Sequence, residues 1–219
     1  MSELFEERRA RANSTGKRSK VYGVGINDSD YITQYTESGV RYICPYYARW
    51  VSMLERGYSA RWKLKQPTYE DCSVSEEWHL FSTFRLWMEE QDWEGKFLDK
   101  DMICLGNKVY SKENCVFVSR EINNLLVDRA RDRGELPQGV HFHDKTGKYR
   151  ARISLSGKRA SLGLFNCKWR AYVAYCTAKY IEIARVANLQ EASSQPKLRA
   201  GLLAHAEIFK TRSEARYGD

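Results

Sequence analysis

The chain has 219 residues, with 36 Lys and Arg against 28 Asp and Glu, a formal net charge of +8 and an isoelectric point near 9.1. This length suits one or two small domains, and the basic balance favours an anionic partner. There is no apolar run of membrane-spanning length and no secretory signal, so we expect no membrane association and a cytosolic location.

The six cysteines are dispersed, and none lies within four residues of another. A local zinc-binding pair is therefore missing, and we expect reduced thiols acting as small core residues, with no zinc bound. A zinc site assembled from distant cysteines and histidines is the alternative. The cysteines are Cys44, Cys72, Cys104, Cys115, Cys167 and Cys176.

Residues 1–20 are charged and have no apolar periodicity. They are either a frayed terminus or a basic flexible arm that lies along phosphates, and the second interpretation is slightly favoured. The cations of this arm are Arg8, Arg9, Arg11, Lys17, Arg18 and Lys20.

Two amphipathic helices are predicted between the arm and residue 97. Pro45–Tyr58 places Pro45 in a first turn and has one apolar stripe, and residues 75–90 begin with the capping residue Ser75. Both helices are rich in aromatic residues, which indicates a hydrophobic core. His79 lies on the second helix and is interpreted mainly as a surface or supporting histidine.

Residues 97–127 form the stretch around which the rest is organised, and their pattern predicts a small hairpin followed by a helix. Residues 105–108 contain the Gly and Asn that suit a turn, and residues 115–118 are β-prone. Ser119 is a plausible N-cap for the helix. A carboxylate on the first strand and an amide on the helix could meet there, as in a site for a hard cation.

Residues 128–138 are charged, end in Gly and Pro, and are interpreted as a linker. Residues 139–188 then predict three short strands, at 140–142, 149–155 and 158–164, followed by a helix that covers the apolar face of their sheet. The opposite face is left with basic side chains, which either bind phosphates and base edges or only keep the sheet solvated. These side chains are Lys148, Arg150, Arg152, Lys158 and Arg159.

Residues 189–219 predict a C-terminal helix over residues 197–212, with Leu198, Leu202, Ala206 and Phe209 at helical spacing. Three interpretations stay open. The helix packs back on its own domain, contacts DNA, or forms an interface with a second copy of the chain or with another protein.

The 97–127 stretch resembles the ββα-metal core of the HNH nucleases, especially phage-encoded ones. The resemblance implies that Asp99 and Asn123 hold one divalent cation, Mg²⁺ or Mn²⁺, and that Asn114 pins the hairpin. The position of the family's histidine base is occupied by Lys100, so His79 is the candidate substitute base. The alternative is that Asp99 and Asp101 are solvated acids and that Lys100 pairs with one of them.

An ammonium group has no lone pair to accept a proton, and Lys titrates near pH 10.4. Lys100 can act as a base only where burial or a nearby cation lowers its pKa by several units. Otherwise it binds the scissile phosphate or stabilises the transition state through its charge.

The 139–188 stretch is similar to the APETALA-type DNA-binding domain of plant ethylene-response proteins, which reads the major groove with its sheet. The resemblance rests on Gly147-Lys148-Tyr149-Arg150-Ala151-Arg152, on Gly157-Lys158-Arg159 and on Leu162-Gly163-Leu164-Phe165. It implies that Arg150, Arg152 and Arg159 contact bases or phosphates.

Together these patterns predict an α+β protein: a helical, HNH-like ββα-metal domain over residues 21–127 and a three-stranded antiparallel sheet packed on one helix over residues 139–188. The expected function is metal-dependent hydrolysis of double-stranded DNA by a phage-encoded, homing-type endonuclease in the cytoplasm of its bacterial host. The alternative is an inactive relative that binds DNA as a regulator or counter-defence factor.

Overall fold

The computed structural model describes residues 5–11, 14–127, 134–155, 157–215 and 217. The chain has an α+β fold and divides into two compact units. Unit 1 comprises residues 1–101 and 106–117, and unit 2 comprises residues 102–105 and 118–219. Most of the predicted linker, residues 128–133, lies outside the described residues. Where the chain is described, no helix has the length and apolar character that crossing a bilayer requires.

Unit 1 combines short strand pairs with helices. β1 pairs with β2, β3 with β4, β5 with β7, and β6 with β8. The strands are β1 (Arg8–Arg9), β2 (Tyr31–Ile32), β3 (Gln34–Glu37), β4 (Val40–Ile43), β5 (Ser73–Val74), β6 (Phe97–Asp99), β7 (Val109–Tyr110) and β8 (Val116–Val118). The helices are α1 (Pro45–Tyr58), α2 (Ala60–Lys65) and α3 (Phe81–Glu89), with 3₁₀ turns at Thr15–Lys17, Pro67–Tyr69 and Glu76–His79.

An aromatic core holds unit 1 together. Trp50 of α1 is fully buried. Its indole Nε1 donates a 2.7 Å hydrogen bond to the carbonyl of Trp78, so this buried N–H group has an acceptor inside the core. The rings of Phe81 and Phe84 are buried beside these tryptophans. The bounds predicted for α1 are confirmed.

The second predicted helix is interrupted, which corrects the expectation for residues 75–90. Glu76–His79 is a 3₁₀ turn, Leu80 is extended, and α3 begins only at Phe81. The carbonyl of His79 accepts from the Ile26 amide at 2.8 Å, and the Phe81 amide donates to the Ile26 carbonyl at 3.0 Å. Because these two groups pair with a distant segment, they cannot continue a helical hydrogen-bond ladder.

The described part of the N-terminal segment is attached to unit 1. Arg8 lies in β1 and bonds Glu37 through both of its terminal nitrogens. Arg18 donates to the carbonyls of Asn27 and Ser29 at 3.0 and 2.7 Å. These two guanidinium groups therefore attach the N-terminal segment to unit 1 and do not belong to a free arm.

The hairpin predicted around residues 105–108 is more elaborate than a simple turn. Gly106 has the expected positive φ of 73°, and the return strand forms as β8. Between them, however, β7 leaves the hairpin and runs parallel to β5. The predicted cap is confirmed, because the Ser119 hydroxyl accepts the Ile122 amide at the start of α4 (Arg120–Leu125).

Unit 2 contains the predicted three-stranded antiparallel sheet, in the order β11-β10-β9. One face is covered by α5, where Val140, Ala151 and Ala171 form the centre of a small core. The C-terminal helix α7 packs on α5 through its predicted apolar stripe, so the packing-back interpretation is confirmed. The elements are β9 (Val140–His143), β10 (Lys148–Leu155), β11 (Lys158–Phe165), α5 (Lys168–Ala187), α6 (Gln190–Ser193) and α7 (Pro196–Glu214).

A β-bulge in β11 interrupts the alternation of faces that a regular strand has. Arg152 pairs with Ser161 but Ala151 pairs with Gly163, so Leu162 is the extra residue. Beyond it the faces exchange, and Leu164 pairs with Arg150 instead of facing α5. Leu164 is 41% exposed accordingly.

Two glycines at positive φ allow a matched stability test. A Cβ at Gly139 (φ +76°) would overlap the Tyr175 ring, whereas one at Gly147 (φ +63°) would meet nothing. We expect Gly147→Ala to lower the free energy of unfolding by about 1 kcal/mol through backbone strain alone. Gly139→Ala adds the overlap and should cost about 3 kcal/mol or more, measured by urea denaturation. Equal losses would contradict the packing of Tyr175 on Gly139.

Candidate functional site

The uncovered face of the unit 2 sheet carries a cluster of basic side chains. Cross-strand pairing sets Arg150 between His141 and Leu164, and it sets Arg159 opposite Ser154. Because residues two apart on a strand share a face, Arg152 lies beside Arg150 on the side away from α5. We call this surface the cationic sheet face; its basic members are His141, His143, Lys148, Arg150, Arg152 and Arg159.

Lys158 does not belong to this face. It pairs with Leu155, whose position along β10 places it with Ile153 and Ala151 on the side of α5. The prediction that Lys158 accompanies the three arginines is therefore corrected. Its neighbour Arg159 keeps the predicted orientation.

The charge of the cationic sheet face is not neutralised by neighbouring acids. Within the described part of the chain, Arg150, Arg152 and Arg159 form no ion pair with a carboxylate. The pKa of His141 is lowered by burial and then by the charges of Arg152 and Arg159. The face is therefore positive, and His141 is neutral at neutral pH.

A second candidate site lies at the end of β6 in unit 1. Lys100 is only 6% exposed, and its Nζ donates to Asp101 Oδ2 at 3.0 Å and to the Asn107 carbonyl at 3.4 Å. Burial alone would lower the pKa of Lys100, but the Asp101 carboxylate raises it, and the net shift is upward. Lys100 therefore keeps its proton, which is unsuited to a general base. Its pairing with a neighbouring acid is the simpler of the two interpretations of this motif.

An asparagine pair fixes the loop that follows β6. The Asn114 Nδ2 donates to Asn107 Oδ1 at 3.2 Å, and the Asn107 Nδ2 donates to the carbonyls of Lys100 at 2.6 Å and Val109 at 2.7 Å. Asn114 thus acts on the loop through Asn107. The sequence predicts Asn107 only as a turn residue, and its position directly after Gly106 is the signal for this further role.

Asp99 is the acid predicted to bind a metal. Its Oδ1 accepts a hydrogen bond from the Asp101 amide at 3.0 Å, so one of the two carboxylate oxygens already has a backbone donor. Arg56 of α1 is near it: burial lowers the pKa of Arg56, but Tyr110, Tyr69 and Asp99 raise it, and the net shift is upward. Arg56 was not predicted as a site residue, because only the fold brings α1 next to β6.

The two residues of the predicted metal pair belong to different units. Asp99 belongs to unit 1, whereas Asn123 lies on α4 of unit 2 and is partly buried. Among the described residues, no group of three or more His, Cys, Asp and Glu side chains is arranged to hold a metal ion. An aspartate and an asparagine are oxygen donors of the kind that Mg²⁺ uses together with water and phosphate, so their chemistry fits such an ion.

His79 was the candidate substitute base. Its Nε2 lies 2.8 Å from the Tyr58 hydroxyl, and that hydroxyl also accepts the Val74 amide at 3.2 Å. The ring of His79 packs edge-on against Tyr58. These contacts describe a histidine that connects α1 to the 3₁₀ turn before α3.

Comparisons of the chain with protein-family models, with curated proteins and with solved structures find no match. Both resemblances, to the HNH core and to the APETALA-type domain, stay predictions. The function is therefore inferred from the two sites described above.

The lowered pKa of His141 gives a direct test of the field on the cationic sheet face. By NMR titration, we expect the pKa of His141 to lie below 6.5 and to rise when Arg152 is replaced by alanine, because a repelling charge is removed. An unchanged His141 titration in Arg152→Ala would contradict the geometry of this face.

Proposed function

We propose that this protein binds duplex DNA through the cationic sheet face. The observation that carries the proposal is the alignment of Arg150, Arg152 and Arg159 on an uncovered sheet surface, without carboxylate partners in the described chain. Arginine is the side chain best suited to bidentate contact with phosphates and with guanine edges. The alignment of guanidinium groups on an uncovered sheet face therefore supports nucleic-acid binding over a surface that is only solvated.

The dimensions of the sheet support a major-groove contact. Three strands spaced about 4.8 Å apart span roughly 10 Å between their outer axes, and the major groove of B-DNA is about 12 Å wide. Side chains two residues apart on a strand are separated by about 6.6 Å, which is close to two base-pair steps of about 3.4 Å. Arg150 and Arg152 can thus address positions two steps apart.

Duplex DNA is favoured over duplex RNA by the same dimensions. The major groove of an A-form helix is deep and narrow, so a three-stranded sheet cannot enter it. Phosphate contacts from Lys148 would add affinity without sequence information and would make binding sensitive to salt.

Replacing Arg150 and Arg152 together by alanine tests this proposal. We expect each loss to weaken binding to duplex DNA by about 1–3 kcal/mol if both read base edges, measured by fluorescence anisotropy. The control is Lys158→Ala combined with Arg170→Ala, which removes two charges at positions off the cationic sheet face. Equal loss of DNA affinity in both double variants would show that net charge alone explains the effect. No loss of DNA affinity in the arginine variant would refute the proposal.

A second candidate function is metal-dependent hydrolysis of the DNA backbone. Its support is the succession of β6, β8 and α4, with Asp99 at the strand end and a loop fixed by Asn114 and Asn107. By the resemblance to the HNH nucleases, Asp99 and Asn123 would be the residues that hold a Mg²⁺ ion, which when bound supplies Lewis-acid stabilisation of charge on the phosphate. Lys100, which keeps its proton, would contribute positive charge and not proton abstraction.

The competing possibility is a DNA-binding protein without cleavage activity, acting as a regulator or a counter-defence factor. The proximity of Arg56 to Asp99 favours it, because this cation competes with a metal for the acid of the predicted metal site. In that case DNA affinity is retained in the presence of a chelator.

Supercoiled plasmid distinguishes the two cases. With Mg²⁺ or Mn²⁺, hydrolysis predicts conversion to the nicked form, loss of this activity in Asp99→Ala, and an increase of about tenfold or more in Lys100→His, since an imidazole can act as a base. Folding of each variant is checked by circular dichroism and DNA binding by anisotropy. If neither the wild-type protein nor Lys100→His nicks the plasmid while both bind DNA in chelator, the hydrolase is rejected.

A further inference from the structure

Unit 2 contains a cleft of about 640 Å³ that adjoins the cationic sheet face and shares His141 and Arg159 with it. It is bounded by α4, by the beginning of β9, by the β10–β11 turn and by the second half of α5. This volume falls in the range of pockets that hold small molecules. The residues that matter for its chemistry are Arg120, Asn124, Arg159, Lys179 and Glu182.

The cleft contains a buried ammonium group. Lys179 is 7% exposed, and its Nζ donates a hydrogen bond to the carbonyl of Leu125. A lysine ammonium has three N–H donors, and burying its charge costs free energy unless an anion is near. Burial lowers the pKa of Lys179, and Glu182 opposes this shift only in part.

The acids of the cleft are engaged with another cation. Glu182 is 6% exposed, and Arg185 reaches its carboxylate with Nε at 2.8 Å and Nη2 at 2.9 Å. The second acid, Glu121, lies 3.7 Å from the same guanidinium group. Arg185 thus balances part of the negative charge of these acids, and the cations that line the cleft are Lys179, Arg159 and Arg120.

We propose that this cleft binds a phosphate group, with Lys179 at its base and Arg120 and Arg159 at its sides. Charged oxygens are the acceptors that match a buried ammonium and two guanidinium forks, and the Asn124 amide adds a further donor at the wall. The phosphate either belongs to a free nucleotide or to the backbone of DNA that lies on the adjoining cationic sheet face. The second source rests on the proposed function, and the first does not.

The test uses adenosine monophosphate as the probe and adenosine as its uncharged counterpart, titrated calorimetrically into the full-length protein. We expect the wild-type protein to bind adenosine monophosphate and not adenosine, and Lys179→Met and Arg120→Ala each to weaken that binding about tenfold or more. Lys197→Met, on the exposed side of α7, is the charge-matched control and should bind as the wild type does. Thermal melting checks that both Lys179→Met and Arg120→Ala fold.

Anisotropy with a duplex identifies the source of the phosphate. Competition between adenosine monophosphate and DNA, with weaker DNA binding in Arg120→Ala, assigns the cleft to the backbone of bound DNA; absence of competition assigns it to a free nucleotide. Loss of DNA binding in Arg152→Ala reports on the sheet alone, so the two proposals fail separately. The cleft proposal is overturned if adenosine monophosphate binds no better than adenosine and Arg120→Ala leaves DNA affinity unchanged.

Discussion

The covering of one side of a three-stranded sheet by α5 is the constraint on which the functional surfaces of unit 2 depend. Strand side chains alternate between two faces, so burying Val140, Ala151 and Ile153 forces Arg150 and Arg152 to the other side. The hydrophobic effect thereby orients charged groups that it does not itself stabilise. A one-residue slip in register would bury guanidinium groups, which is why the register is strongly specified.

Local patterns predicted the elements whose signals lie within a few residues. The strands of unit 2, helix α1, the Ser119 cap and the stripe of α7 all follow from alternation, helical spacing or cap chemistry, and their bounds agree closely with the structure. In the candidate site, the same reasoning identified Arg150, Arg152 and Arg159 as members of one face. That Lys100 occupies the place of a histidine base is implied only by the resemblance to the HNH nucleases and stays a prediction.

The features that were missed depend on partners distant in sequence. The break at Leu80 arises because the backbone of Ile26 bonds the His79 carbonyl and the Phe81 amide. No residue near position 80 in the sequence predicts this pairing. The role of Arg18 depends on carbonyls of Asn27, Ser29 and Tyr31, and that of Arg56 on its approach to Tyr110 and Asp99. The charged state of Lys100 likewise follows from the competition between its burial and the Asp101 carboxylate, a balance of energies that spacing does not express.

The extra residue in β11 also shapes the sheet. A bulge bends its strand and increases the local right-handed twist, so the surface bearing the guanidinium groups is twisted and not flat. A twisted sheet surface can follow a helical groove over a longer path than a flat sheet can. The same bulge places the exposed side chain of Leu164 among the cations. There it offers an apolar contact of the kind that the 5-methyl group of thymine makes.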